Sequence, residues 1–351
     1  MKAIISIISI STLMLVSCTT GNNNNVTFEK SIVTTGELFI DSEELKDPSH
    51  ISLIDNYLVL VNYKGEPIIE IFSTITGKRN AEFLSRGNGP NEVLMVGNIQ
   101  IIPDKDQIYI SDLFKRKLLR YKLRDIIDNL SYTPEIVYER PESSSSLLLF
   151  DKLFIGRTHF IAESRDPRGR VLLIDQANFK PSYFVDYPDK NLADKNLDDF
   201  SNADLYASAV TISPSLDKIA LATYTAGMID LCTIENGEIK KYWSYNEFYP
   251  QGFFTMPMGE EIAVVHTNES KSGFVNACSS NNYAYLLYSG KKMSDKTYSS
   301  GNKVYVVSWD GKETFCIELD RQVKRIAVDY QDQILYAITP ELEVYKFSLQ
   351  E

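Results

Sequence analysis

The chain repeats one short pattern at six places, a polar turn followed by a run of apolar residues. The runs hold leucine, β-branched and aromatic residues, which favour β-strands. The six copies are Asn56–Leu60, Asp106–Ile110, Asp151–Ile155, Asp217–Leu221, Asn282–Leu286 and Asp332–Tyr336. Successive copies start 45 to 66 residues apart, a spacing typical of a β-propeller in which each repeat forms one blade. The pattern therefore predicts an all-β protein, a six-bladed β-propeller with four antiparallel strands per blade.

Glycine turns mark the hairpins between the third and fourth strands of several repeats. They are Thr76-Gly77-Lys78, Glu235-Asn236-Gly237 and Asp310-Gly311-Lys312. Glycine is favoured in tight hairpins because some turn positions need a positive φ angle. In the third repeat the apolar runs predict the second strand at Leu153–Arg157 and the third at Val171–Asp175. This assignment makes Thr158–Arg170 a long loop.

The sixth repeat has apolar runs for three strands only, and Glu343–Leu349 is the last of them. Near the other end of the chain, Val26–Val33 is rich in β-formers and belongs to no repeat. We expect it to supply the fourth strand of the last blade. Closing the ring with both ends of the chain in one blade would remove exposed sheet edges, which otherwise promote aggregation.

Long connections are expected to gather on one face of the propeller. If the strands of a blade are lettered a to d from the channel outward, the d-to-a and b-to-c connections share a face. Most long connections are of these two kinds. They are Ser85–Asn98, Tyr187–Tyr206 and Asn246–Phe274 between blades, and Thr158–Arg170 and Ser289–Asn302 within blades. Long loops on a rigid scaffold commonly carry binding residues, so this loop-rich face is the expected functional face.

The N-terminus has the features of a secreted and lipidated protein. Lys2 precedes an apolar stretch, Ile4–Val16, that is too short to span a bilayer comfortably. It ends in Leu15-Val16-Ser17-Cys18, which resembles a bacterial lipobox, so Cys18 is the expected lipidation site. The chain then divides into a signal peptide (residues 1–17), a flexible tether (18–25) and one propeller domain (26–351). Thr19 in place of Asp, with no acidic run after it, favours the outer membrane and its periplasmic side.

Charge and cysteine content narrow the possible partners. The formal net charge is −11, and the basic residues are dispersed, so the chain should repel nucleic acid. Cys232, Cys278 and Cys316 remain once Cys18 is assigned to lipid, and each lies in an apolar run. Small buried residues are the favoured interpretation, while one disulfide is permitted in an oxidising compartment. We expect a monomer that is attached to the membrane through its lipid anchor.

One local motif identifies a family. Arg86 is followed by Gly87-Asn88-Gly89-Pro90-Asn91-Glu92, directly after the fourth strand of the first repeat. With the lipobox and the sixfold repeat, the chain resembles TolB-like six-bladed propeller lipoproteins, in which a Gly-x-Gly-Pro-x-Glu element lies at this junction. The resemblance implies a propeller fold and an envelope location, and no defined reaction. Arg86, Asn88 and Glu92 are candidate ligand contacts on a nest of glycine amides. The favoured alternative is a tight connector in which Glu92 caps backbone amides.

No metal or cofactor site is predicted. His50, His159 and His266 lie in three different repeats without metal-ligand spacing. The acidic stretch from Asp186 to Asp199 lacks the regular spacing of a calcium loop. We therefore expect no cofactor and no metal.

The leading hypothesis is a lipid-anchored envelope binding module that holds a peptide, a glycan or a partner protein over its loop-rich face. The candidate contacts are Arg86, Asn88, Glu92, His159, Asp199, Tyr206, His266 and Asn268. One alternative is an enzyme acting on polysaccharide, a lyase or glycosidase, which needs carboxylates or a Tyr/His/Arg set at one pocket. Its candidate residues are Glu92, His159, Asp199 and His266. The other alternative is a structural partner in an envelope complex.

Overall fold

The computed structural model describes residues 27–102, 105–128, 132–139, 152–193, 197–258 and 261–350. Six sheets surround a common axis, and each contributes four antiparallel strands to one blade. The predicted six-bladed propeller is confirmed. The predicted signal peptide, Cys18 and the tether lie outside the described residues, and their assignment stays a prediction.

In blades 1 to 3 the strands run from a, at the channel, to d, at the rim. Blade 1 contains Pro48–Ile54, Tyr57–Asn62, Ile69–Ser73 and Arg79–Phe83; blade 2 contains Val96–Ile102, Gln107–Asp112, Lys117–Lys122 and Glu135–Glu139; blade 3 contains Leu153–Ile155, His159–Glu163, Val171–Asp175 and Pro181–Phe184. A short helix, α1 (Leu123–Ile127), lies in the c-to-d connection of blade 2.

Blades 4 to 6 follow the same order. Blade 4 contains Ser208–Ile212, Lys218–Thr223, Met228–Glu235 and Glu238–Asn246; blade 5 contains Phe274–Ser279, Tyr283–Tyr288, Gly301–Ser308 and Thr314–Val323; blade 6 contains Arg325–Val328, Ile334–Ile338, Val344–Ser348 and the N-terminal strand Gly36–Ile40. The remaining elements are strands Ser31–Thr34, Ser85–Arg86, Glu92–Val93, Phe253–Met258 and Glu261–His266, helix α2 (Asp199–Leu205), and 3₁₀ turns Ser42–Glu44 and Lys190–Leu192.

An N-terminal strand closes the ring as expected, but the strand is not the predicted one. Gly36–Ile40 pairs antiparallel with Val344–Ser348 and completes blade 6. The described part of the predicted strand, Ser31–Thr34, instead pairs parallel with strand d of blade 5 as a fifth strand. The assignment of Val26–Val33 to blade 6 is therefore wrong. The difference has a packing reason: Ile40 is buried, while Val33 is 77% exposed.

The third blade also differs from the prediction. Leu153–Ile155 is strand a rather than strand b, and strand b is His159–Glu163, inside the segment predicted to be a long loop. The b-to-c connection is therefore short, from Ser164 to Arg170. The apolar run of the repeated pattern, Leu153–Ile155, forms strand a in this blade and strand b in the others, so the strand assignment was displaced by one strand.

Six clusters of buried apolar side chains fill the six junctions between neighbouring blades. The last junction joins the two ends of the described chain, because Leu58 and Leu60 of blade 1 pack with Ala327 and Ile338 of blade 6. Alternation along each strand produces these clusters, since successive side chains face opposite neighbouring blades. Among the described residues, no helix has the length and apolarity needed to cross a bilayer.

The three cysteines of the propeller are free thiols. Cys232 and Cys316 are buried in strands, and burial raises their thiol pKa values to about 12 and about 11. Their behaviour is that of small apolar residues.

Candidate binding site

The glycine-rich connector after blade 1 is held by its own acidic side chain. Glu92 Oε2 accepts a hydrogen bond from the amide of Gly89 at 2.7 Å. A Cβ atom on Gly87 would lie 2.0 Å from the same carboxylate oxygen, so glycine is needed for this close approach. Lys115 Nζ donates to the carbonyl oxygens of Gly89 and Glu92, at 3.0 and 2.7 Å. These contacts fix the connector on blade 2.

Arg86 and Asn88 differ in what they contact. The Arg86 guanidinium donates to the carbonyl oxygen of Tyr63 and, at 3.4 Å each, to those of Asn62 and Leu94. It therefore joins two connections of the loop-rich face. Asn88 is exposed. The connector borders a cleft of about 770 Å³ whose lining includes the acidic residues Glu66, Glu82 and Glu92.

His159 lies on the other face of the propeller. It begins strand b of blade 3, directly after the tight a-to-b turn, so the expectation that it lies in a loop of the loop-rich face is wrong. Its Nδ1 is 2.8 Å from Thr158 Oγ1, and its Nε2 is 3.8 Å from Asp175 Oδ2. The ring lines a cleft of about 790 Å³ together with Glu235 and Asn236, which form a c-to-d turn.

The other predicted contacts lie in a small cap on the loop-rich face. The cap consists of α2 and the hairpin formed by Phe253–Met258 and Glu261–His266. Asp198 caps α2, because its carboxylate accepts from the amide of Ser201 at 2.6 Å. Ser201 Oγ donates to the carbonyl oxygen of Ile262 at 3.3 Å and so joins helix to hairpin. No helical periodicity marks this cap in the sequence, because α2 has only seven residues.

Within the cap, Asp199, His266 and Asn268 are exposed. Tyr206 is only 1% exposed, and its ring belongs to the cluster between α2 and the hairpin. Burial raises the pKa of its phenol, and no described residue is hydrogen-bonded to its hydroxyl. The cap therefore presents three of the predicted polar side chains to solvent and buries the fourth.

The four residues required by the enzyme alternative do not share one pocket. Glu92 lies in the connector after blade 1, His159 on the tight-turn face, and Asp199 and His266 on the cap. Paired carboxylates for glycoside hydrolysis must flank one bond, which this distribution does not allow. In the described part of the chain, no group of three or more His, Cys, Asp and Glu residues is placed to hold a metal ion.

The feature that the sequence did not reveal is the mouth of the central channel. Strands a begin at the loop-rich face, because the d-to-a connections lie there. A cavity of about 130 Å³ opens at this end and is lined by residues from all six blades. We call six of its polar residues the channel-mouth cluster: His50, Asn98, Lys152, Tyr224, Asn276 and Arg325. Each blade contributes one of these six residues, so no local motif marks the site in the sequence.

The channel-mouth cluster is cationic although the protein as a whole is acidic. Lys152 Nζ donates to Tyr224 Oη at 2.5 Å and to the carbonyl oxygen of Ser208 at 3.3 Å. Burial lowers the pKa of Arg325 from its usual value, and no Asp or Glu is among the described residues that line the cavity. Burial, Arg325 and Lys152 together lower the pKa of His50 to about 3, so His50 is neutral at physiological pH.

The polarity of the side chains that line the channel changes along its length. Below the mouth, a second cavity of about 140 Å³ is lined mainly by apolar side chains such as Ile101, Phe154 and Val328. The mouth therefore combines polar donors above with an apolar floor below, which is a common composition of small-ligand sites.

Comparison with known proteins agrees with this architecture. No curated protein matches the chain. A protein of Bacteroides fragilis NCTC 9343 that is inferred to be exported aligns with a TM-score of 0.52 at 12% identity, covering 92% of this chain and 100% of the other. A member of the duf4221 family from Bacteroides vulgatus aligns with a TM-score of 0.58 at 11% identity, covering 90% and 96%. At such identities the likeness shows the fold alone. The sequence model of the TolB-like 6-blade propeller-like family matches residues 22–331, so the chain belongs to the TolB-like six-bladed propeller family.

Proposed function

We propose that this protein is a lipid-anchored envelope binding module that engages its ligand through the loop-rich face. The proposal rests on the observation that the cap and the channel mouth lie on the same face of the propeller. The cap and the polar channel mouth both lie on the face with the long connections, and the opposite face consists mostly of tight turns. A rigid ring with variable connections on one side is a common arrangement for recognition.

The path of the N-terminal segment supports an outward orientation of this face. Thr27, the first described residue, accepts a hydrogen bond at its carbonyl oxygen from Thr314 Oγ1 at 2.9 Å. Thr314 begins strand d of blade 5, directly after the tight c-to-d turn. Thr27 therefore lies on the tight-turn side of the propeller. We infer from this position that a lipid at Cys18 leaves the loop-rich face directed away from the bilayer. The lipobox-like sequence Leu15-Val16-Ser17-Cys18 supports the envelope location.

A thermal-shift screen of small peptides, oligosaccharides and organic acids tests the binding function. A ligand that binds only the native state raises the melting temperature. The proposal expects at least one ligand that raises the melting temperature of the wild-type protein. This stabilisation should be lost in Asn276→Asp, a substitution on the loop-rich face, and kept in Asn178→Asp, a substitution on the tight-turn face. A ligand that responds only to tight-turn substitutions, or a panel without any stabilising ligand, contradicts it.

Location is tested separately by membrane fractionation. The wild-type protein should be found with the outer membrane and Cys18→Ala in the soluble periplasmic fraction, since only the acyl anchor is lost. Soluble wild-type protein would contradict the anchor and leave the binding proposal intact.

The cap provides one observation in favour of the alternative of a structural partner. Phe200 on α2 is 60% exposed, and Phe254 and Met256 on the hairpin are 49% and 43% exposed. Grouped exposed apolar side chains commonly mark protein contacts. In a pull-down from solubilised membranes, a specific partner should be lost with Phe200→Ser/Phe254→Ser and retained with Phe114→Ser, which changes an exposed phenylalanine on a different blade.

A further inference from the structure

The two asparagines of the channel-mouth cluster have amide orientations fixed by neighbouring backbone. Asn98 Oδ1 accepts from the amide of Leu153 at 2.9 Å and from Ser111 Oγ at 2.7 Å. Asn276 Oδ1 accepts from the amide of Ile326 at 2.9 Å. A backbone N–H can only donate, so each side-chain oxygen must face it and each NH₂ group must lie on the other side.

The NH₂ group of Asn98 is unusual because it is a buried hydrogen-bond donor without a partner among the described residues. The residue is only 5% exposed, and its Nδ2 has no hydrogen-bond partner within the described part of the chain. Leaving a buried donor unpaired costs about 1–3 kcal/mol. Asn98 lines the mouth cavity, and we expect an acceptor bound there to pair with this donor.

Arg325 is held in the same cavity with part of its donor set unused. Its Nε donates to the carbonyl oxygen of Ser49 at 2.7 Å, across the junction to blade 1, and its Nη1 donates to that of Lys324 at 2.8 Å. Its Nη2 makes no hydrogen bond to any described residue. The guanidinium is thus held in place through Nε and Nη1, and its Nη2 can donate hydrogen bonds to a ligand.

A purely structural role explains only half of these contacts. The asparagine oxygens and Arg325 Nε clearly join strand a of one blade to the next. The asparagine Nδ2 atoms and Arg325 Nη2 add nothing to that joint. They give the cavity wall an excess of donors, which suits a ligand made of acceptors.

We propose that the channel mouth is a carboxylate-binding subsite in which Arg325, Asn98 and Asn276 donate hydrogen bonds to a small organic acid. The inference rests on the proposed function, because it names the ligand class of the same face. A carboxylate offers two acceptor oxygens in the plane that a guanidinium and amide NH₂ groups match. The cavity of about 130 Å³ corresponds to roughly four waters at about 30 Å³ each, enough for a carboxylate group.

Electrostatics favours the same ligand. Burial lowers the His50 pKa to about 3 together with the positive charges of Arg325 and Lys152, and an anion in the cavity would offset the effect of those two charges. A cationic concave site of this kind concentrates small anions even on a protein of net charge −11. Bound carboxylate should therefore raise the pKa of His50, which NMR of the imidazole carbons can follow.

Calorimetric titration with succinate, and with neutral succinamide as its matched amide, tests the subsite. The test variant is Asn276→Asp, which keeps the Oδ1 acceptor for Ile326 and replaces the donor with a negative oxygen. Asn178→Asp is the control, because Asn178 Oδ1 also accepts a backbone amide, that of Lys180 at 2.8 Å, and lies exposed in a tight turn. Arg325→Gln is the second variant if Asn276→Asp does not fold. N-acetyl-alanyl-alanine and glucuronate, titrated in parallel, distinguish a peptide terminus from an acidic sugar as the carboxylate source.

We expect at least one of the three carboxylates to bind, succinamide not to bind, and affinity to fall about tenfold or more, the equivalent of about 1.4 kcal/mol, in Asn276→Asp or Arg325→Gln. Asn178→Asp should bind as the wild type does. Equal binding of succinate and succinamide, or binding that persists in both mouth variants, overturns the subsite. If no carboxylate binds while a neutral ligand of the thermal-shift panel does, the subsite fails and the binding function stands; if nothing binds, both fail.

Discussion

At the scale of residues, the loop-rich side of the propeller contains a buried ion pair that joins two blades. Arg170 and Asp230 are 3% and 2% exposed and are hydrogen-bonded to each other. Arg170 also donates to Ser208 Oγ at 3.0 Å and Thr223 Oγ1 at 3.2 Å. Asp230 also lies 3.4 Å from Lys241 Nζ, whereas Asp230 is the only ion-pair partner of Arg170 among the described residues. The buried Arg170 charge therefore depends on Asp230 for its compensation.

Asp230→Asn should destabilise the protein by about 3–5 kcal/mol, since it leaves the Arg170 charge buried without its counter-ion. Glu318→Gln is the control: its partner Lys303 is 4.0 Å away and both side chains are over 40% exposed, so the cost should be about 1 kcal/mol or less. Urea unfolding of both variants measures the difference. Equal losses would show that burial of the Arg170–Asp230 pair does not matter.

His50 should make stability depend on pH. Its folded pKa of about 3 lies below the ordinary value of 6.5, so between these pH values the unfolded chain binds more protons than the folded one. Stability is therefore full above pH 6.5 and falls as the pH drops toward 3, by up to about 1.4 kcal/mol per pH unit. His50→Gln should flatten this part of the curve. Urea midpoints at pH 4.5 and 7 check it, and an unchanged pH slope in the variant would contradict it.

Gly87→Ala should displace the Glu92 carboxylate and break its bond to Gly89, at a cost of about 1–2 kcal/mol. In a Glu92→Ala background the same change should cost about 1 kcal/mol less, because nothing remains to be displaced. A double-mutant cycle by urea unfolding measures the coupling. Additive losses would mean that Gly87 is required for another reason.

At the scale of elements, the two N-terminal strands have separate roles. Deletion through Thr35 removes the parallel strand on blade 5 and should lower Tm by roughly 5 °C. Deletion through Ile40 also removes strand d of blade 6, exposes the edge of Val344–Ser348 and should abolish cooperative unfolding. Thermal melts of the two variants decide this. Similar melting of both would mean that Gly36–Ile40 does not close the ring.

The elements also show how far sequence patterns reach. The number of blades was predicted from the repeated apolar strands, such as Tyr57–Asn62, because each blade contains one copy of this pattern. The closing strand was misassigned because Ser31–Thr34 and Gly36–Ile40 are both β-rich, and only pairing partners distinguish them. His159 was misplaced because the apolar run of the repeated pattern forms strand a in blade 3, and His159 begins strand b.

The candidate site was less predictable than the fold. Exposed polar residues of the cap, such as Asp199 and His266, were predicted as contacts because they lie in long connections. Arg325 and Asn276 lie inside apolar strands, where sequence offers no sign of which side faces the channel mouth. Their proposed role depends on ring closure, which brings residues that are distant in the sequence to one cavity.

At the scale of the whole molecule, the ring has two different ends. The tight-turn side receives the N-terminal segment, and the loop-rich side carries the cap and a cationic mouth in an otherwise acidic protein. This polarity relates the scaffold to the proposed anchor and the proposed site. The proposed binding site lies at the end of the channel opposite the side that holds Thr27.

Anomalous diffraction from crystals grown in sodium bromide tests the location of the site most directly. The account predicts a strong bromide peak in the channel mouth, in contact with Arg325 and Asn276, that disappears in Asn276→Asp and persists in Asn178→Asp. An empty mouth, with bromide found only beside exposed lysines and arginines elsewhere on the surface, would contradict it.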